Sequence, residues 1–109
     1  MEIIGKKIKV KIDRPLGSHH PKHSNIIYTI NYGYVEGIFA LDGEEQDCYV
    51  LGVDEPISDF QGEVIAIIKR LDDVEDKWVV AGEGVNYTDE EILKQVYFQE
   101  QYFHIKLIR

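Results

Sequence analysis

The chain has 109 residues and a mass of 12.6 kDa, with 12 Lys and Arg residues against 20 Asp and Glu residues, a formal net charge of −8. This length predicts a single domain over residues 1–109, because domains usually contain roughly 100–150 residues. The acidic balance argues against binding of a nucleic-acid backbone, which needs a cationic surface. No apolar run approaches the ~20 residues that span a bilayer. A lone Cys48 cannot form an internal disulfide, which agrees with a cytoplasmic domain. From the charge and the apolar runs, we expect that this domain binds neither nucleic acid nor a membrane.

The first predicted element is a strand over residues 8–12, where Ile8, Val10 and Ile12 alternate with lysines. Residues 14–25 read as an irregular loop that contains Pro15 and Pro21. Further alternating or continuously apolar segments predict strands over residues 26–30, 34–41, 47–51, 63–71 and 77–81, with turns at 42–46 and 72–76 and a loop over 52–62.

The end of the chain predicts a helix. Thr88 and Glu91 have the spacing of a capping box, in which each side chain bonds the other residue's backbone N–H. The helical stripe that follows contains Ile92, Leu93, Val96 and Phe103. About six short strands followed by one helix indicate a mainly β fold. We favour a small closed or partly closed barrel with the helix packed on it, because closure leaves no exposed strand edge.

Two groups of acidic residues are candidates for chemistry. Asp42, Glu44 and Asp47 surround a glycine turn, and a second group, residues 72–76, precedes Lys77. If the two groups converge, their carboxylates raise one another's pKa, and a divalent cation relieves the repulsion. Oxygen ligands of this kind suit Mg²⁺ or Mn²⁺. The alternative is that these acids are solvated turn residues, and the composition by itself leaves both interpretations open.

A resemblance to a known family adds to this picture. The segments YTINYGY (28–34) and DGEEQD (42–47) resemble the signature region of the soluble family I inorganic pyrophosphatases. Weaker similarity extends to residues 72–79 and 98–102. The resemblance implies an OB-like five-stranded barrel with a C-terminal helix. It also implies Mg²⁺-dependent hydrolysis of pyrophosphate to two phosphates, and a homo-oligomer.

The resemblance also implies roles for individual residues. The implied metal ligands are Asp42, Asp47 and Asp72, together with Glu75 or Asp76. Glu44 takes the place of the general base, Asp47 helps to activate the attacking water, and Tyr32 completes the catalytic set. The implied phosphate contacts are Arg14, Tyr32, Lys77 and Tyr102.

The sequence departs from the family at functional positions, so three hypotheses stay open. Phe103 stands where the family has a substrate-binding lysine, which removes a cation from the site. The first hypothesis is hydrolysis of pyrophosphate as its Mg²⁺ complex. The second is a non-catalytic relative that binds phosphate or a nucleotide. The third is hydrolysis of another phosphoanhydride, with Phe103 and Trp78 as a stacking surface.

The histidines at 19, 20 and 23 are predicted to lie in a solvated loop that contacts a partner subunit. A metal tract would need a helix to bring His19 and His23 together, and Pro21 interrupts the segment.

Overall fold

The computed structural model describes residues 3–109. The chain forms β1 (Lys7–Arg14), β2 (Asn31–Phe39), β3 (Glu45–Val50), β4 (Asp59–Arg70), β5 (Asp76–Ala81), α1 (Asp89–Glu100) and β6 (Ile105–Ile108). Within the described residues, no helix combines the length and the apolar composition needed to cross a membrane.

Five of the strands close into a barrel. They follow the order β1-β2-β3-β5-β4, and a pairing between β1 and β4 completes the ring. All neighbours are antiparallel except β3 and β5, which run parallel. Because β4 has 12 residues, it can pair with β1 near its start and with β5 and β6 near its end. The predicted OB-like five-stranded barrel with a C-terminal helix is therefore confirmed, and β6 is an additional strand.

Two apolar clusters follow from the alternation of side chains along the strands. Every barrel strand contributes to the cluster that fills the barrel, which consists of Val10, Val35, Cys48, Val50, Val64 and Val80. The other cluster lies between the opposite face of the strands and α1, and it includes Tyr32, Tyr49 and Val79 from the strands with Ile92 and Val96 from the helix. The predicted capping box is confirmed at the start of α1, with Thr88 and Glu91 as its two members. The helix therefore begins where the sequence predicts and packs against the outer face of the barrel.

Two predicted elements near the middle of the chain are wrong. Residues 26–30 form no strand, and only an isolated bridge between His19 and Ile27 is present. The apolar residues Tyr28 and Ile30 are two positions apart because both are buried in the cluster beside α1, not because they belong to a paired strand. Conversely, residues 59–62 belong to β4 and not to a loop, and they include Gly62, whose missing side chain lets β5 approach closely.

The predicted apolar stripe of α1 is also partly wrong. The helix ends at Glu100, so Phe103 lies beyond it, and Leu93 is exposed. The buried positions are Ile92, Val96, Gln99 and Glu100. Two of these four residues, Gln99 and Glu100, are polar, and they are buried because they bond to polar groups of the barrel. The apolar periodicity of the helix does not reveal such partners.

Gly33 is placed where two strands meet, and its substitution should destabilise the fold. A Cβ atom built at Gly33 would lie 1.8 Å from the carbonyl oxygen of Lys11 on β1, so a backbone would have to move. We expect Gly33→Ala to lower the free energy of unfolding by at least about 2 kcal/mol in urea denaturation. Gly82→Ala is the control, because a Cβ there meets only the Val85 side chain at 3.3 Å. Equal stability of the two variants would contradict the close strand approach.

Candidate active site

A pocket of about 590 Å³ opens on the helix side of the barrel. Asp47 on β3 points to the same face as Tyr49, and Lys77 on β5 points to the same face as Val79, because side chains two residues apart share a face. The parallel pairing of β3 with β5 begins one residue later in each strand, which brings Asp47 and Lys77 side by side. The pocket therefore starts where the parallel strands begin.

Lys77 lies at the base of this pocket with its ammonium group held by two carboxylates. Its Nζ atom is 2.7 Å from Asp47 Oδ2 and 2.9 Å from Glu75 Oε2. The Lys77 side chain is buried, whereas Asp47 and Glu75 are partly exposed. A buried ammonium needs such partners, since desolvation without them is costly. Tyr32 adds its ring, whose centroid is 5.7 Å from Nζ.

A second ion pair, between Arg70 and Glu100, joins the barrel to the helix. Arg70 Nε and Nη2 donate to the two Glu100 carboxylate oxygens at 3.0 and 2.8 Å, and the side chains are 5% and 1% exposed. Burial would lower the pKa of Arg70, but the hydrogen bonds and charge of Glu100 outweigh burial and raise that pKa. Arg70 Nη1 also donates to Glu75 at 3.3 Å, and the guanidinium lies 3.7 Å from the centroid of the Phe103 ring.

Hydrogen bonds continue from Glu100 to the other side of the pocket. Tyr49 donates its hydroxyl proton to Glu100 at 2.5 Å and accepts from Gln99 Nε2 at 2.7 Å. The Gln99 carbonyl oxygen in turn accepts from the Tyr28 hydroxyl at 2.7 Å, and Tyr28 accepts from Arg14 Nη1 at 2.6 Å. Because every donor in this series has one acceptor, the orientation of each group is set by its neighbours.

Arg14 and Tyr32 complete the polar lining. The Arg14 guanidinium carbon lies 5.4 Å from the centroid of the Tyr32 ring. Burial and the nearby Asp47 carboxylate raise the pKa of Tyr32 well above its ordinary value, so this hydroxyl keeps its proton. Tyr32 is therefore a hydrogen-bond donor, and its hydrogen bond with the Asp47 side chain contributes to the raised pKa.

The pocket carries an excess of positive charge although the chain is acidic. Its lining contains four cationic side chains, Arg14, Lys22, Arg70 and Lys77. It contains only two carboxylates, those of Asp47 and Glu75. With the nearby tyrosine hydroxyls, such a lining suits a multiply charged anion such as a phosphate.

The structure brings most of the sequence-predicted site residues together. The pocket is lined by Arg14, Tyr32, Asp47, Glu75, Lys77 and Tyr102, and Asp42 adjoins Glu75. A hydrogen bond with the Glu75 side chain, and another from the Glu44 backbone N–H, lower the pKa of Asp42. Of the two carboxylates left open by the sequence, Glu75 and not Asp76 reaches the pocket.

Other predicted residues lie elsewhere. Glu44 is exposed at the tip of the β2–β3 hairpin. Asp72 accepts a hydrogen bond from the His104 backbone N–H at 3.3 Å and does not line the pocket. Trp78 packs against the cluster inside the barrel, away from Phe103. In residues 3–109, no three His, Cys, Asp or Glu side chains are arranged so that they could hold a metal ion.

Several pocket residues were not predicted from the sequence. Arg70, which lines the pocket, was missed, and so was its partner Glu100, which lies outside the lining. A charged residue at the end of an apolar strand and another on the buried stripe of a helix were visible signals. His20 and His23 also line the pocket, so the loop that carries them folds over the site. Its predicted contact with a partner subunit stays a prediction.

Comparison with solved structures places this architecture among the inorganic pyrophosphatases. The inorganic pyrophosphatase of Neisseria gonorrhoeae superposes with a TM-score of 0.69 at 21% identity, covering 90% of this chain and 74% of that one. For Ehrlichia chaffeensis inorganic pyrophosphatase the TM-score is 0.71 at 14% identity, with coverage of 94% and 85%. Neither a family model nor a curated protein matches the sequence. The chain thus has the fold of these enzymes, and the resemblance seen in the sequence is confirmed for the fold.

The buried Arg70–Glu100 pair should be essential for stability. We expect Arg70→Met to lower the free energy of unfolding by about 3–5 kcal/mol, because Glu100 is left buried without its partner. An unpaired buried carboxylate has a raised pKa, so the folded variant binds a proton more readily and the deficit should shrink as the pH falls from 8 to 5. Lys69→Met, on the exposed face of the same strand, is the control. The measurement is urea denaturation at both pH values, and a loss no larger than that of the control would contradict the role of the pair.

Proposed function

We propose that this protein hydrolyses pyrophosphate to two phosphates, with Mg²⁺ bound to the substrate. The observation that carries the proposal is the cationic pocket, in which Arg14, Arg70 and Lys77 lie beside Asp47. The shared fold with inorganic pyrophosphatases supports it. Hydrolysis of a phosphoanhydride depends mainly on positioning and charge stabilisation, which this lining can provide.

Five of the residues that line the pocket have a part in the proposed reaction. Lys77 and Arg14 bind phosphate oxygens, and the protonated Tyr32 donates a hydrogen bond to one of them. Asp47 is partly exposed beside Lys77, so it can orient the attacking water and accept its proton. The general-base role predicted for Glu44 stays a prediction, and activity of Glu44→Gln tests it. Tyr102, which is exposed at the rim, contacts the outer phosphate.

The carboxylates proposed to hold Mg²⁺ are those of Asp42, Asp47 and Glu75, and because they do not form a three-ligand cluster within residues 3–109, their side chains would have to move together to bind the ion. Their carboxylate oxygens are of the type that Mg²⁺ prefers, and two of them already share one cation, the Lys77 ammonium. Mg²⁺ would neutralise phosphate oxygens and lower the pKa of a bound water. The ion and Lys77 would use the same oxygens of Asp47 and Glu75, so in the presence of the ion the Lys77 ammonium would be available to bind phosphate. Mn²⁺ is the alternative ion.

The same observation favours a second candidate function. With Asp47 and Glu75 both paired to Lys77, the pocket can bind a phosphate or a nucleotide phosphate without turning it over. Binding without release of phosphate would identify this non-catalytic relative. Release from a nucleotide but not from pyrophosphate would identify a hydrolase of another phosphoanhydride. A cytoplasmic location stays a prediction from the sequence.

The direct test of the proposed reaction is phosphate release from pyrophosphate with Mg²⁺. We expect Asp47→Asn to reduce the turnover rate by at least about 100-fold, because the amide cannot accept the proton of the attacking water. Asp54→Asn makes the same chemical change at an exposed loop position and should retain activity. Thermal melting shows that both variants are folded. Near-normal turnover by Asp47→Asn would contradict the mechanism.

We also propose that the protein assembles as a homo-oligomer. Large apolar side chains are exposed at the two turns beside the site, with Phe39 at 65%, Leu41 at 88% and Val74 at 63% exposure. Patches of this kind often mark protein interfaces. We expect Leu41→Glu to reduce the mass measured by light scattering, whereas Leu93→Glu on α1 leaves it unchanged. A monomeric unaltered chain would contradict the proposal.

A further inference from the structure

The loop over residues 18–27, which we name the histidine loop, covers one side of the pocket without a part in the reaction proposed above. It is closed at its base by the hydrogen bond from Tyr28 N to Ser18 O at 2.8 Å and by the bond from His20 N to Ile26 O at 2.9 Å. Ile26 N also donates to His23 O at 2.8 Å. Backbone hydrogen bonds thus join the two ends of the loop and its tip.

The hydrogen bonds of His20 determine which of its ring nitrogens carries a proton. Its Nδ1 atom accepts from the backbone N–H groups of Lys22 and His23 at 3.1 and 3.3 Å. A ring nitrogen that accepts a hydrogen bond carries no proton, so the proton of the neutral ring is on Nε2. Burial, followed by the charge of Arg14, lowers the pKa of His20, which agrees with a neutral ring. His20 therefore offers one N–H donor.

The ring of His20 is also oriented. It stacks on Tyr28 with centroids 6.2 Å apart and an interplanar angle of 11°. Tyr28 is in turn fixed by Arg14 and Gln99. His20 lines the pocket together with Lys22, and no hydrogen bond of its Nε2 atom to another group is present in residues 3–109. An oriented donor and a cationic residue therefore line the same space.

We propose that His20 Nε2–H and the Lys22 ammonium form a second anion subsite, which binds the phosphoryl group of pyrophosphate that does not lie at Lys77 and Arg14. The pocket volume of about 590 Å³ leaves room beyond one phosphate, and Lys22 lines it in addition to Arg14 and Lys77. The identity of the ligand rests on the proposed function. The subsite makes a diphosphate, and not a single phosphate, the preferred ligand.

Two substitutions at His20 separate ligand binding from loop ordering. In His20→Asn, the side-chain oxygen can still accept from the backbone N–H groups two and three residues on, but the donor toward the pocket is lost. In His20→Gln, the longer side chain can place an N–H group near the position of Nε2. The ligands are imidodiphosphate, a pyrophosphate analogue that resists hydrolysis, and orthophosphate, each titrated by calorimetry with Mg²⁺ present.

We expect His20→Asn to weaken imidodiphosphate binding by about tenfold or more, the usual effect of losing a hydrogen bond to a charged group. Orthophosphate binding should change by less than about threefold, because it needs only the Lys77 side. His20→Gln should stay within about threefold of the unaltered chain for both ligands. Lys22→Ala should weaken imidodiphosphate binding by several-fold, and the loss should diminish as salt is added.

Several outcomes overturn the subsite. Equal losses for both ligands, or loss in His20→Gln with retention in His20→Asn, would show that His20 only orders the loop. Turnover of pyrophosphate with an unchanged KM in His20→Asn would remove the subsite and leave the proposed function intact. Conversely, His20-dependent binding of imidodiphosphate without any turnover of pyrophosphate would support the subsite and refute hydrolysis. Failure of the unaltered chain to bind imidodiphosphate would overturn both.

Discussion

A guanidinium buried beneath the pocket determines how the helix, the barrel and the site fit together. Arg70 uses two donors for Glu100 on α1 and a third for Glu75 before β5, while Phe103 covers its face. Removing such charges from water is expensive, and only well-directed hydrogen bonds offset the cost. The planar, forked geometry of arginine allows three segments to meet around one side chain. Glu75 is thereby placed beside Lys77, and the base of the pocket follows from this contact.

The electrostatic character of the pocket is opposite to that of the whole chain. A formal charge of −8 would repel pyrophosphate if it were spread evenly over the surface. The fold instead places many acids on exposed turns, where solvent screens them, and concentrates cations such as Arg14 and Lys77 around one concave space. Net charge therefore describes the long-range field of this protein, whereas ligand affinity depends on the few side chains that face the ligand with little water between.

Sharing a fold with inorganic pyrophosphatases does not decide the chemistry, because one fold can support different functions. In the proposed site, Lys77 and a divalent cation would compete for the oxygens of Asp47 and Glu75. Lys77 pairs with both carboxylates, and Arg70 also pairs with Glu75, so the site is charge-compensated without any metal ion. A divalent cation with bound substrate can displace the ammonium only if its interaction with the same oxygens is stronger. The proposed hydrolysis and the alternative of simple binding would thus be two outcomes of one local equilibrium.

Local features of the sequence were sufficient for much of the architecture. Alternation near Val10, the apolar run before Arg70 and the capping box at Thr88 are short-range signals, so they predicted β1, the main part of β4 and the start of α1. The spacing of the tyrosines and acidic residues up to Asp47 indicated the fold family and some of the residues that line the pocket. Only the tertiary structure decided that Glu75 reaches the site, that Gln99 and Glu100 bond to barrel residues, and that the histidine loop covers the pocket. These contacts join residues distant along the chain, and burial of polar groups depends on partners that no local pattern contains.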